Sequence, residues 1–181
     1  MTADGDDVVT ARADDAFTAD DNQVAAFWEV AKRRARLASL PGYFGPSALE
    51  SLMPPVWSFG ATPEQSDELV QLVLDGSKTA TSSALWDYEA ADEPLPERGA
   101  LGIVLDGSAQ PRALVVTTDV RVVPFDEVDA EHACLEGEGD LTLEHWREVH
   151  ERFFTEHAEH DRGFSPDMPV VLERFEVIYE R

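Results

Sequence analysis

A single cysteine, Cys134, stands in the 181 residues, which excludes an intramolecular disulfide and any zinc site built on several thiolates. No apolar run reaches the roughly 18 residues of a membrane span, so no membrane partner is expected. The N-terminus, MTADGDDVVTARADDAF, has acids where a signal peptide carries bases and then an apolar stretch. A cytoplasmic location is therefore expected, and a reducing compartment suits the lone thiol. Bases are scarce: 14 Lys and Arg against 37 Asp and Glu give a formal charge of −23. Such a surface repels phosphate backbones at long range, so no DNA partner is expected. A neutral nucleoside, or a short RNA in a local basic pocket, remains open. The glycine loops of Walker and Rossmann spacing, the nucleophile elbow and the His-Glu-x-x-His zinc helix are all missing. No metal or cofactor is expected, and His157, His160 and Asp161 read as solvated groups near a helix end.

What remains is globular composition, 43% hydrophobic and 28% charged, in a length suited to one domain. Residues 1–21 carry seven aspartates against Arg12 and few large apolar groups, and read as a disordered acidic tail. Residues 22–181 then form a single domain. Val24, Phe27, Trp28 and Ala31 recur at helical spacing, with Asp21 or Asn22 as the cap. The Pro- and Gly-rich stretch 41–60 reads as a structured loop. Thr62, Pro63 and Gln65 form a capping box ahead of the apolar stripe Leu69, Val70, Leu72, Val73 and Leu74. The stretch SKTATSSALWDYE, rich in Thr and aromatics, reads as a strand. LGIVL at 101–105, Asp106-Gly107-Ser108 and residues 112–125 read as a hairpin. DEVDAEHACLE and a segment capped near Asp140 read as helices, and MPVVLERFEVIYE as a final half-buried strand. Strands interrupted by helices without a βαβ rhythm predict an α+β fold: a small mixed or antiparallel barrel with flanking helices.

Two patches carry candidate chemistry. Gly76-Ser77-Lys78-Thr79-Ala80-Thr81-Ser82-Ser83 crosses from a helix end to a strand start and sets the second of only two lysines among hydroxyls. A desolvated lysine can lose its proton and act as a base, activating a hydroxyl such as Thr81. The same lysine can equally neutralise helix-end carbonyls. Cys134-Leu135-Glu136-Gly137-Glu138-Gly139-Asp140 separates three acids by glycines, either as a turn that aims carboxylates into a pocket or as a flexible linker that caps the next helix. Cys134 reads as a small packed hydrophobe.

These patches, in this order, resemble the ASCH domain family, specifically its larger bacterial branch. The carriers are GSKTAT at 76–81, LGIVL at 101–105, VVPFDEVDAEHACLEGEGD at 122–140, TLEHWREVHERFF at 142–154 and DMPVVLERFEVIY at 167–179, with AFWEV at 26–30 and Phe59-Gly60 upstream. The resemblance spans about residues 24–181 and implies a PUA-like barrel with links to RNA and nucleosides. Some small bacterial members deacetylate N4-acetylcytidine, and their catalytic set falls on Lys78, Thr81 and Glu136. That implies an amidohydrolase with a threonine nucleophile and a lysine base. Other members imply alternatives: a ribonuclease on single-stranded RNA that needs no metal, or an RNA- or nucleoside-binding module without catalysis. Trp57, Phe59, Thr79, Ser83, Trp86, Glu138 and Asp140 are the expected substrate contacts, the aromatics by stacking on a base. Ser83 stands where the family signature often carries an arginine.

Overall fold

The computed structural model describes residues 19–35 and 53–181. Residues 1–18 of the expected acidic tail lie outside the described residues, and its last residue belongs to a helix. Asp20 caps helix α1 (Asp21–Arg34) by accepting from the Asn22 amide, so Asp21 is already helical. Five strands follow among the described residues: β1 (Val56–Ser58), β2 (Ala80–Ala84), β3 (Leu101–Leu105), β4 (Pro111–Pro124) and β5 (Pro169–Glu180). Four helices lie between them: α2 (Pro63–Leu74), α3 (Leu85–Ala91), α4 (Ala130–Glu136) and α5 (Leu143–Glu156). A 3-10 turn at Phe125–Glu127 precedes α4, so the expected helix 126–136 is two elements.

The strands form one curled sheet, a half-barrel, in the order β1-β3-β4-β5-β2. Only the β1–β3 pair is parallel. β4 and β5 pair along almost their whole lengths, and β4 shifts register near Leu114 and again between Thr117 and Asp119. Such bulges bend a strand and increase its twist, which curls the sheet. The fold is α+β as expected, with the mixed sheet curled into a half-barrel and the hairpin β3–β4 in place.

Three further expectations change at the element level. β1 lies inside the stretch read as a loop, because a three-residue strand has almost no periodicity and is stabilised by pairing with β3. The expected strand through Glu89 stops at Ala84, and Leu85–Ala91 turn into α3, which closes at Asp92 in the left-handed region. The α5 cap is Thr142, whose Oγ1 accepts from His145 N; Asp140 instead orders the turn before it by accepting from Thr142 N and Oγ1. The capping box of α2 does form. Thr62 Oγ1 accepts from Gln65 N, and Gln65 Oε1 accepts from Ala61 N.

Two faces of the sheet are packed differently. α1 lays Val24, Phe27, Trp28 and Ala31 on Ile103, Leu105 and Leu114. α4 and α5 cover the face carrying Ala84, Val170 and Leu172, with Trp146 and Phe154. α2 packs Leu69, Val70 and Val73 against Phe59, Val104, Val115 and Phe175. Ser82 and Thr81, adjacent in β2, consequently point to opposite sides, the first toward α4 and the second toward the open side of the sheet.

Candidate active site

Lys78 reaches the site because the end of α2 is tied down on both sides. Its amide donates to Leu72 O, and the amide of Thr79 donates to Leu135 O at the last turn of α4. Thr79 O in turn accepts from Phe175 N of β5. α4 ends at Gly137, whose φ of 75° lies in the left-handed region that favours glycine. A Cβ there would stand 2.5 Å from Ser77 O, so only glycine lets α4 sit this close to the lysine.

The Lys78 side chain is 0% exposed. Its Nζ donates to Glu138 Oε1 at 2.5 Å and to Glu136 Oε2 at 3.3 Å, and lies 5.2 Å from the Phe59 ring centroid. Burial pulls the ammonium pKa down, but the Glu138 and Glu136 carboxylates outweigh it and hold it above the ordinary lysine value. In the resting site Lys78 is therefore an ammonium rather than a free base.

Glu136 is also fully buried and is the hub of a wider network. Its Oε1 accepts from Ser82 Oγ at 2.5 Å and from Trp146 Nε1 at 2.7 Å. His132 Nε2 lies 3.0 Å from Ser82 Oγ and 3.2 Å from Glu136 Oε1, and His150 Nε2 stands 3.6 Å off. His150 stacks on Trp146 with 4.1 Å between ring centroids. Burial raises the Glu136 pKa, but the charges of His150 and Lys78 and the His132 hydrogen bond hold it well below the carboxylate range. Glu138 moves the other way: burial pushes its pKa up, and the neighbouring Glu136 charge adds to that against the pull of Lys78. Two acids around one cation are thus separated in proton affinity.

On the open side lies a cavity of about 600 Å³. Thr81, Ser83 and Thr117 supply hydroxyls to its wall, Trp57 and Tyr88 supply rings, and Glu173 a carboxylate. The Trp57 indole approaches β3 closely because residue 102 is glycine; a Cβ there would meet Nε1 at 2.7 Å. Thr81 is 8% exposed and its hydroxyl has no hydrogen-bond partner, Lys78 included. Ser83 Oγ instead donates to Tyr88 Oη at 3.2 Å.

A buried hydroxyl without a protein partner is uncommon and is met by an ordered water, a bound ligand or a catalytic role.

The structure brings Lys78, Glu136 and Glu138 into one cluster and places Thr81, Ser83 and Trp57 in the cavity wall. Phe59 is buried beneath Trp57, their centroids 4.5 Å apart, and meets Lys78 rather than the cavity. Thr79 is bonded to α4. Two expected contacts lie elsewhere. Trp86 sits on α3 between His160 and Arg162, 5.1 and 5.2 Å from its ring, and Asp140 is exposed in its own turn. Ser82, His132, Trp146 and His150 are not among the residues the sequence points to, although His132–Glu136 and Trp146–His150 each follow the i,i+4 spacing of one helix face.

The comparisons with known proteins agree with this architecture. The ASCH domain model matches residues 55–179. The chain belongs to the ASCH domain family. That family groups RNA-binding and hydrolase-like domains. A crystal structure of an Enterococcus faecalis V583 protein is 39% identical, covering 86% of this chain and 88% of its own, with a TM-score of 0.73. A crystal structure of an ASCH domain from Lactobacillus crispatus JV V101 is 28% identical over 91% of this chain and 99% of its own, with a TM-score of 0.74. No curated protein matches the sequence. No helix among the described residues is long and apolar enough to cross a membrane.

Proposed function

We propose that the protein hydrolyses an acylated nucleoside of the N4-acetylcytidine type, with Thr81 as nucleophile. The observation that carries this reading is the buried, unpartnered Thr81 hydroxyl in the wall of a cavity large enough for a nucleoside, three residues along the chain from a buried lysine held by two acids. Trp57 offers a flat face for a base.

The chemistry follows from the proton affinities. Thr81 Oγ1 attacks the amide carbonyl carbon. As it does, Lys78 takes the hydroxyl proton and passes one of its own to Glu138, the acid whose pKa is raised. Lys78 keeps its positive charge throughout, which favours the negative tetrahedral intermediate. The proton returns by the same route to the leaving nitrogen, the C–N bond breaks, and an acyl ester remains on Thr81. Water then attacks the ester, giving its proton to the same pair, and Thr81 recovers a proton as the carboxylic acid leaves. Glu136 stays ionised and holds Lys78 in place. The step needs Thr81 within hydrogen-bond reach of Nζ, a contact of the kind that commonly tightens only when substrate is seated.

RNA binding and ribonuclease chemistry, the other readings of the sequence, need a cation facing a phosphate. The described residues that line the cavity include no Lys, Arg or His. The test is release of cytidine from N4-acetylcytidine by the wild type, Thr81→Ala and Glu138→Gln. Activity in the wild type, abolished by Thr81→Ala and lowered at least about a hundredfold by Glu138→Gln, is the expected result. No release by the wild type, or full release by Thr81→Ala, overturns the reading.

A further inference from the structure

Lys78 sits between two carboxylates, so something must decide which of them receives its proton. The surroundings of Glu136 supply that decision. Its Oε1 accepts from Ser82 Oγ at 2.5 Å and from Trp146 Nε1 at 2.7 Å, while Oε2 accepts from Lys78. The indole can only donate. Protonation anywhere on this carboxyl turns charge-assisted hydrogen bonds into neutral ones, which are about half as strong. The site is fully buried, so solvent does not replace what is lost.

His132 completes the cage. Its Nε2 lies 3.0 Å from Ser82 Oγ and 3.2 Å from Glu136 Oε1. Ser82 gives its own proton to the carboxylate, so it accepts from the ring, and Nε2 carries a hydrogen aimed at both oxygens. The other ring nitrogen, Nδ1, is buried without a partner in the protein. A side chain that only filled this space would be apolar and leave no such atom unpaired. The imidazole is thus explained by its Nε2–H. Ser82 has a second part: it neighbours Thr81 in β2 but faces α4, so its bond to Glu136 ties the Thr81 strand to the acid cluster. Among the described residues, the other titratable groups facing Glu136 are Lys78, Glu138 and His150. His150 donates from Nδ1 to Trp146 O at 2.9 Å and sets Nε2 3.6 Å from Oε1.

We infer that Ser82 and His132 are positioning residues that lock Glu136 as the fixed anion beside Lys78 and so direct the lysine's proton to Glu138. The inference rests on the amide-hydrolysis reading for what that proton does, but which acid takes it is measured without turnover.

The experiment titrates the full chain by isotope-edited NMR of its glutamate carboxyl carbons, with the Glu136 and Glu138 signals assigned by their loss in Glu136→Gln and Glu138→Gln. In the wild type Glu138 is expected to take up its proton at higher pH than Glu136. Ser82→Ala and His132→Leu should each bring the Glu136 titration up toward that of Glu138. Both should also lower kcat for cytidine release at least about tenfold, with KM within about twofold, since neither side chain faces the open side of the sheet. His132→Gln, which can still present an N–H at the Nε2 position, restores most of both losses. A residue that merely fills the core would shift the thermal midpoint and leave the Glu136 titration where it is. If His132→Leu does not fold, the smaller change Ser82→Ala decides. Uptake by Glu136 before Glu138 in the wild type, or a Glu136 titration unmoved by Ser82→Ala, overturns the inference, and cytidine release by the wild type then leaves the hydrolysis reading standing. A moved Glu136 titration in a protein whose wild type releases no cytidine overturns the hydrolysis reading and leaves the positioning roles intact.

Discussion

At the scale of single residues, the site sets one cation between two buried acids, and each loss has a calculable sign. Lys78→Met leaves Glu136 and Glu138 without their counter-charge in the interior. The expected cost is about 3–5 kcal/mol of stability, read from denaturant unfolding. Thr81→Val behaves in the opposite way. It removes a hydroxyl that has no partner and keeps the shape, so stability should be unchanged or rise by up to about 1 kcal/mol while cytidine release disappears. A structural threonine would lose both together, which makes this variant the sharper of the two. The acid limb of stability belongs to Glu136. Its folded pKa lies well below the ordinary 4.5, so its contribution is complete above that value and is lost as the pH falls toward the folded one. Glu138, raised in the fold, favours the folded state on the acid side and withdraws that contribution as the pH climbs. Lys78, raised above 10.5, contributes fully below that value and fades only beyond it. Thermal midpoints measured between about pH 3 and pH 8 should fall below about pH 4.5, and Glu136→Gln should flatten that fall.

At the scale of elements, the cluster depends on how closely α4 approaches the chain leaving α2. Gly137 makes that approach possible, both by its positive φ and by the missing Cβ. Gly137→Ala should therefore cost about 1–3 kcal/mol and lower kcat, since the strain is relieved by moving Glu136 and Glu138 away from Lys78. Circular dichroism melts and turnover on the same sample check both. The elements around this junction were legible where a local signal sufficed: the capping box of α2, the turn between β3 and β4, and the apolar stripe of α1. Residues 85–89 read as strand because Trp86 and Tyr88 have strand-like propensity, whereas the end of β2 and the left-handed Asp92 confine Leu85–Ala91 to a short helix. β1 could not be read at all, since three residues acquire their structure from β3 across the sheet. The same distinction holds in the site. Lys78, Glu136 and Thr81 are carried by short motifs, but Ser82, Trp146 and His150 join the cluster only through packing of α4 and α5 on β2. Trp86 and Asp140 have the right chemistry for a binding site and lie outside it, because propensity does not say which way a segment turns.

At the scale of the molecule, a formal charge of −23 on 181 residues works against the compact state through its own repulsion. The ion pairs on the surface, such as Arg162–Glu89 and Arg174–Glu131, are exposed and each contributes little. The buried pair of Lys78 with Glu136 and Glu138 is shielded from solvent ions. Salt should therefore screen more repulsion than attraction. Raising sodium chloride from about 10 mM to about 300 mM shortens the screening length from roughly 30 Å to below 10 Å. The thermal midpoint is expected to rise by several degrees over that range, as a gain of about 1–2 kcal/mol gives in a chain of this size. Lys78→Met should rise in parallel with the wild type and keep its deficit at every salt concentration, because the charges it leaves unpaired are beyond the reach of counter-ions. A midpoint that falls with salt would mean that attractive surface pairs outweigh the net charge, and a deficit that closes with salt would mean that the lysine cluster is open to solvent.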